Sequence, residues 1–321
     1  MKQVGVDISK RSFHIAVLVG EKQLNKAFEN TPAGHRDLQS WLLKKGISQS
    51  NAHVCMEATS TYYEALALAL ADNGWRVSVV NPLQIKAFAE SRLIRQKTDR
   101  ADAHTIALFC AQQEPPLWSP PALEVRELQR LLARLEAVQS MRVQELNRLH
   151  EAQGVARESV ERLLASLDEE LRLLKKQIDD HIDRHPGLKQ QTGLLKSIPG
   201  VGDTLSAYMT AWLPISRLDD VRAAVAFVGL SPKARESGTS LKGKAMLCKM
   251  GHSRLRKLLY MPAMNAMRFN PAASALAARL REAGKPGKLI LGAIMRKLVH
   301  WIYGVLKSGQ AFNVNLALAK A

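Results

Sequence analysis

The order of strand-like and helix-like stretches in the first third of the chain is the feature that most limits how it can fold. Two short runs rich in valine and isoleucine, 3–6 and 12–19, are followed by a third run at 24–28. Short β-branched runs separated by a glycine-bearing turn are typical of strands and of a hairpin. From Thr31 onwards the pattern changes to helix, strand, helix, strand and helix, with proline or glycine at several boundaries. The sequence therefore predicts an α/β domain over residues 1–115.

Acidic residues stand at the ends of these elements. Asp7 and Glu57 each follow an apolar, strand-like run. Thr98 is a suitable N-cap for the last helix, which places Asp99 and Asp102 one turn apart on the same side of it. Magnesium is a hard cation that prefers oxygen ligands and often bridges to substrate phosphates. The pattern predicts a Mg²⁺ site for phosphoryl transfer formed by these four carboxylates; a capping role or a solvated acidic face is the alternative for the helical pair.

This order of strands, helices and acids is that of the ribonuclease H and RuvC class of nucleases. In that fold an acid ends the first strand, a second acid ends a later strand that a helix precedes, and the last acids lie on a late helix. We therefore expect residues 1–115 to form a RuvC-like, ribonuclease H-like domain that depends on a metal.

The charge of the chain points to a nucleic acid as partner. The 321 residues include 46 Lys and Arg against 29 Asp and Glu, a net charge of +17. Residues 186–321 hold 21 of the basic residues and only five of the acidic ones. Such a concentration of positive charge binds the phosphate backbone of DNA or RNA and releases its counterions. A basic surface without such a partner is the alternative.

Cysteine usage and hydropathy limit the cellular compartment. The three cysteines, Cys55, Cys110 and Cys248, are widely separated, which argues against a disulfide framework and against a zinc site. The first residues lack the apolar core of a signal peptide, and the longest clean apolar run, 65–71, is too short to span a membrane. We therefore expect a cytoplasmic protein without a membrane partner.

Residues 116–185 are predicted to form a linker and two coiled-coil helices. The proline-rich segment 114–121 cannot continue a helix. The stretch 122–184 is almost free of glycine and proline, apart from Gly154, and carries leucines at helical spacing. Two such helices can pair with each other or with a second copy, so we expect a homo-oligomer, a dimer that assembles to a tetramer on two DNA duplexes. The acidic and histidine residues at 180–185 could suggest a metal, but a charged helix end is the stronger interpretation.

Residues 186–321 are predicted to form a mainly α-helical domain that binds nucleic acid. The glycine-bearing motif 198–202 lies between two helical stretches, as in a helix-hairpin-helix turn whose backbone amides hold a phosphate. A plain turn between core helices is the alternative. Further on, a segment with glycine, serine and threonine is predicted to be a flexible basic loop. The nucleic-acid-binding candidates in and after it are Lys233, Arg235, Lys242, Lys244, Lys249, Arg254, Arg256 and Lys257.

Five ordered motifs resemble those of a known family. They are Glu57-Ala58-Thr59, Lys97-Thr98-Asp99-Arg100-Ala101-Asp102-Ala103, Ile198-Pro199-Gly200-Val201-Gly202, Glu236-Ser237-Gly238-Thr239-Ser240, and a tail with Gly284-Lys285-Pro286-Gly287-Lys288 and Met295-Arg296-Lys297-Leu298. Together they span essentially the whole chain, which is similar to the transposases of the insertion sequence 110 family. The resemblance implies a recombinase with a RuvC-like domain, a coiled-coil region and a transposase domain. It also implies guidance by a structured bridge RNA that pairs with target and donor DNA.

The resemblance assigns roles to single residues. It makes four carboxylates the metal-binding set: Asp7, Glu57, Asp99 and Asp102. It makes Ser237 the nucleophile that joins DNA covalently. The residues alone cannot choose between Ser237, Thr239 and Ser240, because all three hydroxyls lie on one segment. Ser60 departs from the family pattern, in which glycine often follows Glu-Ala-Thr.

Two other functions are compatible with the same residues. One is a RuvC-like junction nuclease that hydrolyses DNA with metal and water, with Ser237 as an ordinary loop residue. The other is a non-catalytic nucleic-acid-binding protein whose acids are structural. A covalent protein–DNA adduct would separate the recombinase from both.

Overall fold

The structure, a computed structural model, consists of two compact units. They span Met1–Pro121 and Ala122–Ala321. Each unit has its own buried apolar core. The described residues are 1–20, 22–58, 61–94, 98–237 and 241–319, with side chains described except at 22 and 234–245.

Five strands form the sheet of the first unit. They are β1 Lys2–Ile8, β2 Ser12–Val19, β3 Lys22–Glu29, β4 Ala52–Glu57 and β5 Arg76–Val80. Their order across the sheet is β3-β2-β1-β4-β5. The first three strands pair antiparallel, whereas β4 is parallel to both β1 and β5. The prediction of an α/β N-terminal part is confirmed, while the RuvC-like assignment stays an expectation.

Four helices accompany this sheet. They are α1 Pro32–Lys44, α2 Glu64–Asp72, α3 Pro82–Ser91 and α4 Asp99–Gln113. Thr31 caps α1, and Thr98 caps α4 as predicted, because each side-chain oxygen accepts a hydrogen bond from a backbone amide of the first turn. The sequence predicts the next helix over residues 60–73, but α2 begins at Glu64. The reason is a turn before it, in which the Glu64 amide donates to the Thr61 carbonyl at 3.2 Å.

The second unit begins with two long helices that form a hairpin. They are α5 Leu123–Leu149 and α6 Gly154–Arg184, so the predicted break near Gly154 is confirmed. Buried leucines of α5, such as Leu128 and Leu132, face buried residues of α6, such as Leu171 and Ile178. All four belong to the same apolar cluster as the rest of the unit. The hairpin therefore packs with the C-terminal part of the chain.

The remainder of the second unit is mainly helical. Its elements are α7 Pro186–Lys196, α8 Asp203–Trp212, a 3₁₀ turn Ile215–Arg217, α9 Val221–Val228, β6 Pro232–Ser237, β7 Leu241–Leu247, α10 Ser253–Leu258, α11 Tyr260–Phe269, α12 Pro271–Glu282, α13 Gly287–Ser308 and α14 Val314–Leu318. Among the described residues, α13 alone is long and apolar enough to cross a membrane, yet half of its most apolar stretch is buried. It packs against α7, α9, α11 and α12, as the core helix of a folded unit does.

The segment predicted as a flexible basic loop is a β-hairpin over its described residues. β6 and β7 pair antiparallel, with Ser237 opposite Leu241 and Glu236 opposite Lys242. The loop prediction was wrong over these residues because it relied on the basic residues and on the serine, glycine and threonine of 237–240. The start of β7, Leu241-Lys242-Gly243-Lys244-Ala245, in fact alternates non-polar and basic residues as a strand does.

Candidate metal centre and serine hairpin

Strand pairing places two of the four predicted metal ligands side by side. Asp7 lies near the end of β1, the central strand, and Glu57 is the last residue of β4. The parallel register pairs Val6 with Met56, so Asp7 and Glu57 are the next residues on adjacent strands. The carboxyl ends of parallel strands meet at one edge of a sheet, which brings these two carboxylates to that edge.

Helix α4 brings the other two carboxylates to the same place. The Thr98 cap fixes where the helix begins, so Asp99 and Asp102 both lie in its first turn. The helix approaches β1 very closely at Gly5: a Cβ there would lie 2.1 Å from the carbonyl oxygen of Ala103 and 2.3 Å from the amide nitrogen of Ala107. Only glycine permits this approach. Gly5 therefore sets how near the first turn of α4 lies to Asp7.

The pKa of Asp7 is affected by the other acids nearby. The pKa of Asp7 is raised from its ordinary 3.8 to about 6. Burial is the largest cause, followed by the negative charges of Asp102, Asp99 and Glu57, while His14 opposes them. Without a bound cation, the ionised form of Asp7 is therefore unfavourable. Its carboxylate is partly desolvated, and three further carboxylates repel its negative charge.

This donor set has the chemistry that a hard divalent cation requires. Four carboxylates supply oxygen ligands and negative charge, and a bound cation would relieve the repulsion on Asp7. Over the described residues, no three Asp, Glu, His or Cys side chains are already arranged as metal ligands. Binding an ion would therefore require these side chains to move closer to one another.

His14 is a site residue that sequence reasoning missed. It lies directly opposite Asp7 in the β1–β2 register. Its Nδ1 is 3.3 Å from Oδ2 of Asp99, and so it connects the sheet to the first turn of α4. The sequence signal for His14 is the turn at Lys10 and Arg11. Asp7 and His14 are equally far from this turn, so a hairpin there places them opposite each other.

The glycine motif at 198–202 is a turn between the helices α7 and α8, as predicted, and it packs closely on α11. A Cβ on Gly200 would lie 2.9 Å from the Cβ of Ala266, and the φ of Gly200 is +101°. Asn270 donates from its side-chain amide to the carbonyl of Pro199 at 3.2 Å. Close packing therefore accounts for Gly200, and the role of this turn in holding a phosphate stays a prediction.

The predicted nucleophile lies at the end of a strand in the second unit. Ser237 is the last residue of β6, and Gly238, Thr239 and Ser240 lie outside the described residues, as do Thr59, Ser60 and Lys97 of the other motifs. The base of the hairpin is fixed by three backbone hydrogen bonds. The amides of Cys248, Lys249 and His252 donate to the carbonyls of Ser231, Gly229 and Phe227 at 2.8, 3.2 and 2.7 Å.

Some of the basic residues predicted to bind nucleic acid hold the second unit together. Arg254 forms a 2.7 Å ion pair with Glu136 of α5 and lies over the ring of Trp212. Arg256 donates to the carbonyl of Val228 at 3.0 Å. By contrast, Lys233, Lys249 and Lys257 are exposed. The side chains of Arg235, Lys242 and Lys244 lie outside the described set.

His252 has a structural role beside this hairpin. Its Nδ1 accepts a hydrogen bond from the Leu255 amide at 3.2 Å and caps α10. Burial lowers the pKa of His252, and the charges of Arg254 and Arg256 lower it further. The imidazole is therefore held neutral and oriented by the helix it caps.

Comparison with known proteins gives the family. Residues 4–152 match the model of a transposase domain, and residues 192–278 match the transposase family IS116/IS110/IS902. The chain is 31% identical to the pilin gene-inverting protein of Moraxella bovis and 30% identical to that of Moraxella lacunata, in each case over 97% of both chains. It is 26% identical to an uncharacterised 43.6 kDa protein of insertion element IS110 from Streptomyces coelicolor, over 47% of this chain and 36% of the other. The chain, a DNA-rearranging protein by descent, belongs to the IS110 family of transposases.

Proposed function

We propose that this transposase cuts and rejoins DNA through a covalent phosphoserine intermediate at Ser237, with Mg²⁺ held by Asp7, Glu57, Asp99 and Asp102. The observation that carries the metal part of the proposal is the placement of Asp7 and Glu57 at the ends of adjacent parallel strands, with two further acids in the first turn of α4. Burial and these three carboxylates together raise the pKa of Asp7. Perturbed acids of this kind are typical of sites that bind metal or move protons. Mg²⁺ bound there would supply positive charge to a phosphate that undergoes displacement.

The covalent step balances without any further reactant. The Ser237 hydroxyl oxygen forms a bond to the scissile phosphorus, and the bond from phosphorus to the 3′-oxygen breaks. The proton lost by the serine ends on that 3′-oxygen, which leaves as a free 3′-hydroxyl. Attack by the 3′-hydroxyl of a second strand reverses the step and joins the two DNAs, so no high-energy cofactor is consumed.

Exposed basic residues and the strand that carries the serine support this role for the second unit. Lys233 lies on the same strand as Ser237, and Lys249 follows β7. Cations beside the reacting phosphate stabilise the charge that develops on it. His252 is engaged as a helix cap through Nδ1, so the proposal does not use it as the base for Ser237.

We further propose that a structured guide RNA, a bridge RNA, selects the target and donor DNA. The support is the resemblance of the motifs to the insertion sequence 110 transposases and the excess of basic residues in the second unit. The test is to purify the protein from cells that carry its element and to sequence the RNA bound to it. Recombination that proceeds at full rate with RNase-treated protein would contradict this part of the proposal.

The covalent step is tested by trapping the adduct. The full chain is incubated with its DNA and Mg²⁺, denatured, treated with nuclease and examined by mass spectrometry. We expect a nucleotide on Ser237, no adduct in Ser237→Ala, and only a modest loss of yield in the matched control Ser240→Ala. Cleavage without any adduct would favour the hydrolytic junction nuclease, and a nucleotide on Ser240 would refute the assignment.

A further inference from the structure

Helix α11 exposes an apolar and aromatic surface. Tyr260, Met261, Met264 and Phe269 have 50, 60, 41 and 68% of their surface exposed. The opposite side of the helix is buried through Ala263 and Ala266. Several large apolar side chains exposed along one helix are unfavourable in water and mark a surface that binds something. We call Tyr260, Met261, Met264, Arg268 and Phe269 the α11 face.

The geometry of the α11 face suits the stacking of flat rings. Tyr260, Met264 and Arg268 are four residues apart, so they form one row along the helix, about 12 Å long at 1.5 Å per residue. The guanidinium of Arg268 lies 5.6 Å from the ring centre of Phe269. A row of a phenol, a thioether and a guanidinium beside a phenyl ring offers planar and polarisable partners over its whole length.

The charge around the α11 face favours a polyanion as the occupant. No Asp or Glu occurs between Glu236 and Glu282, whereas nine Lys and Arg do. A second copy of this chain would present the same excess of positive charge to this face, whereas a nucleic acid presents phosphates. Charge complementarity therefore favours a nucleic acid over a second copy.

The apolar character of the α11 face selects among nucleic acids. A duplex presents phosphates on its outside and shields the faces of its bases, so methionine and phenylalanine side chains have little to contact there. In an unpaired strand the base faces are free to stack on aromatic side chains and on arginine.

We propose that the α11 face binds the bases of an unpaired DNA strand during recombination. This inference goes beyond the proposed function, because it concerns how DNA is retained and not how it is cut. It is measured on uncleaved DNA in the presence of a chelator, so it stands or falls independently of Ser237 and of the metal.

The test compares single-stranded with duplex DNA. The full chain is titrated into fluorescent oligonucleotides of about 20 nucleotides, long enough to extend past one site, at one fixed salt concentration. We expect Tyr260→Ala and Phe269→Ala each to weaken binding of the single strand about tenfold while duplex affinity stays within about twofold. Phe269→Trp should restore the affinity, and Phe269→Leu should not. Leu316→Ala and Met141→Ala are matched controls, since both residues are exposed apolar side chains elsewhere in the unit.

A spectroscopic readout separates stacking from a general loss of affinity. 2-Aminopurine in the single strand should lose fluorescence on binding the wild-type chain and lose less on binding Phe269→Ala. Equal weakening of single strand and duplex would overturn the inference. So would a loss confined to unpaired RNA, or a change of oligomeric state in Phe269→Ala with DNA affinity unchanged.

Discussion

The two candidate catalytic regions are built in different ways. The carboxylates of the first unit lie on a central strand, its parallel neighbour and a helix that contacts the backbone at Gly5. Ser237 lies at the end of a two-stranded hairpin, which is fixed at its base by backbone hydrogen bonds to α9 and the residues after it. An isolated pair of strands is only marginally stable, whereas a covered sheet is rigid. The backbone positions of the four carboxylates are thus fixed by the fold, whereas the position of Ser237 depends on what the hairpin contacts.

The largest expected effects are losses of recombination, and metal binding distinguishes the carboxylate region from the serine hairpin. Asp102→Asn and Ser237→Ala should each lower recombination at least about a thousandfold, as removal of an essential catalytic group does. Calorimetric titration with Mn²⁺ should show weakened metal binding in Asp102→Asn and unchanged binding in Ser237→Ala. Weakened metal binding in both variants would show instead that the hairpin contributes to metal binding.

The second prediction concerns the contact that preorganises the carboxylates. Gly5→Val should destabilise the fold by about 3 kcal/mol, because a side chain there meets the backbone of α4 at distances no atom can adopt. Thermal unfolding measures the loss, and Mn²⁺ titration below the melting temperature should show weakened binding. Gly304→Ala is the matched control, since nothing lies within 4 Å of a Cβ at that helical glycine. A stable Gly5→Val with normal metal affinity would contradict this account of the site.

The third prediction concerns the expected homo-oligomer and the α5–α6 hairpin through which it would form. Leu171 and Leu174 are buried within the α5–α6 hairpin, so their replacement would unfold it and would not report on assembly. Val155 and Leu163 are exposed on α6. Val155→Glu with Leu163→Glu should shift the chain from oligomer to monomer in light scattering, with the melting temperature changed by only a few degrees. A monomeric wild type that recombines DNA would refute the role of the helices in assembly.

The smallest effect concerns the charge of Asp7. Its pKa is raised in the folded protein, so the folded state holds the proton more tightly than the unfolded chain does. The contribution to stability is complete below about pH 4 and is lost as the pH rises through about 6. In the absence of metal, Asp7→Asn should therefore melt like the wild type at about pH 4 and a few degrees higher at about pH 7.5, an effect limited by the partial exposure of the group. A lower melting temperature of the variant at the higher pH would reverse the sign and contradict the assignment.

The sequence allowed most of the elements of the carboxylate region to be predicted, and fewer of its contacts. Thr98 marked the start of α4 by local capping chemistry, and the apolar runs before Asp7 and Glu57 marked strand ends. Gly5 and His14 escaped notice because their roles depend on contacts with residues far along the chain or across a register. No local sequence pattern distinguishes a strand glycine that contacts a helix from one that does not.

The second unit was harder to predict for a related reason. Arg254 and Arg256 have the same local sequence character as the exposed Lys257, yet they pair with Glu136 and with the Val228 carbonyl. Charge alone cannot distinguish a basic residue that binds phosphate from one whose side chain pairs with a partner inside the unit. The alternation of non-polar and basic residues in β7 was outweighed by the glycine, serine and threonine before it, which are typical of a loop.

The close approach of α4 to β1 has a consequence for how the protein tolerates mutation. The spacing between the helix and the strand is set by backbone atoms at Gly5, Ala103 and Ala107 and not by the shapes of large side chains. Neighbouring apolar positions such as Val4 and Val6 can therefore be exchanged for residues of similar volume with a cost below about 1.5 kcal/mol. In a saturation library selected for recombination, position 5 should accept glycine alone, while the positions on either side accept several aliphatic residues.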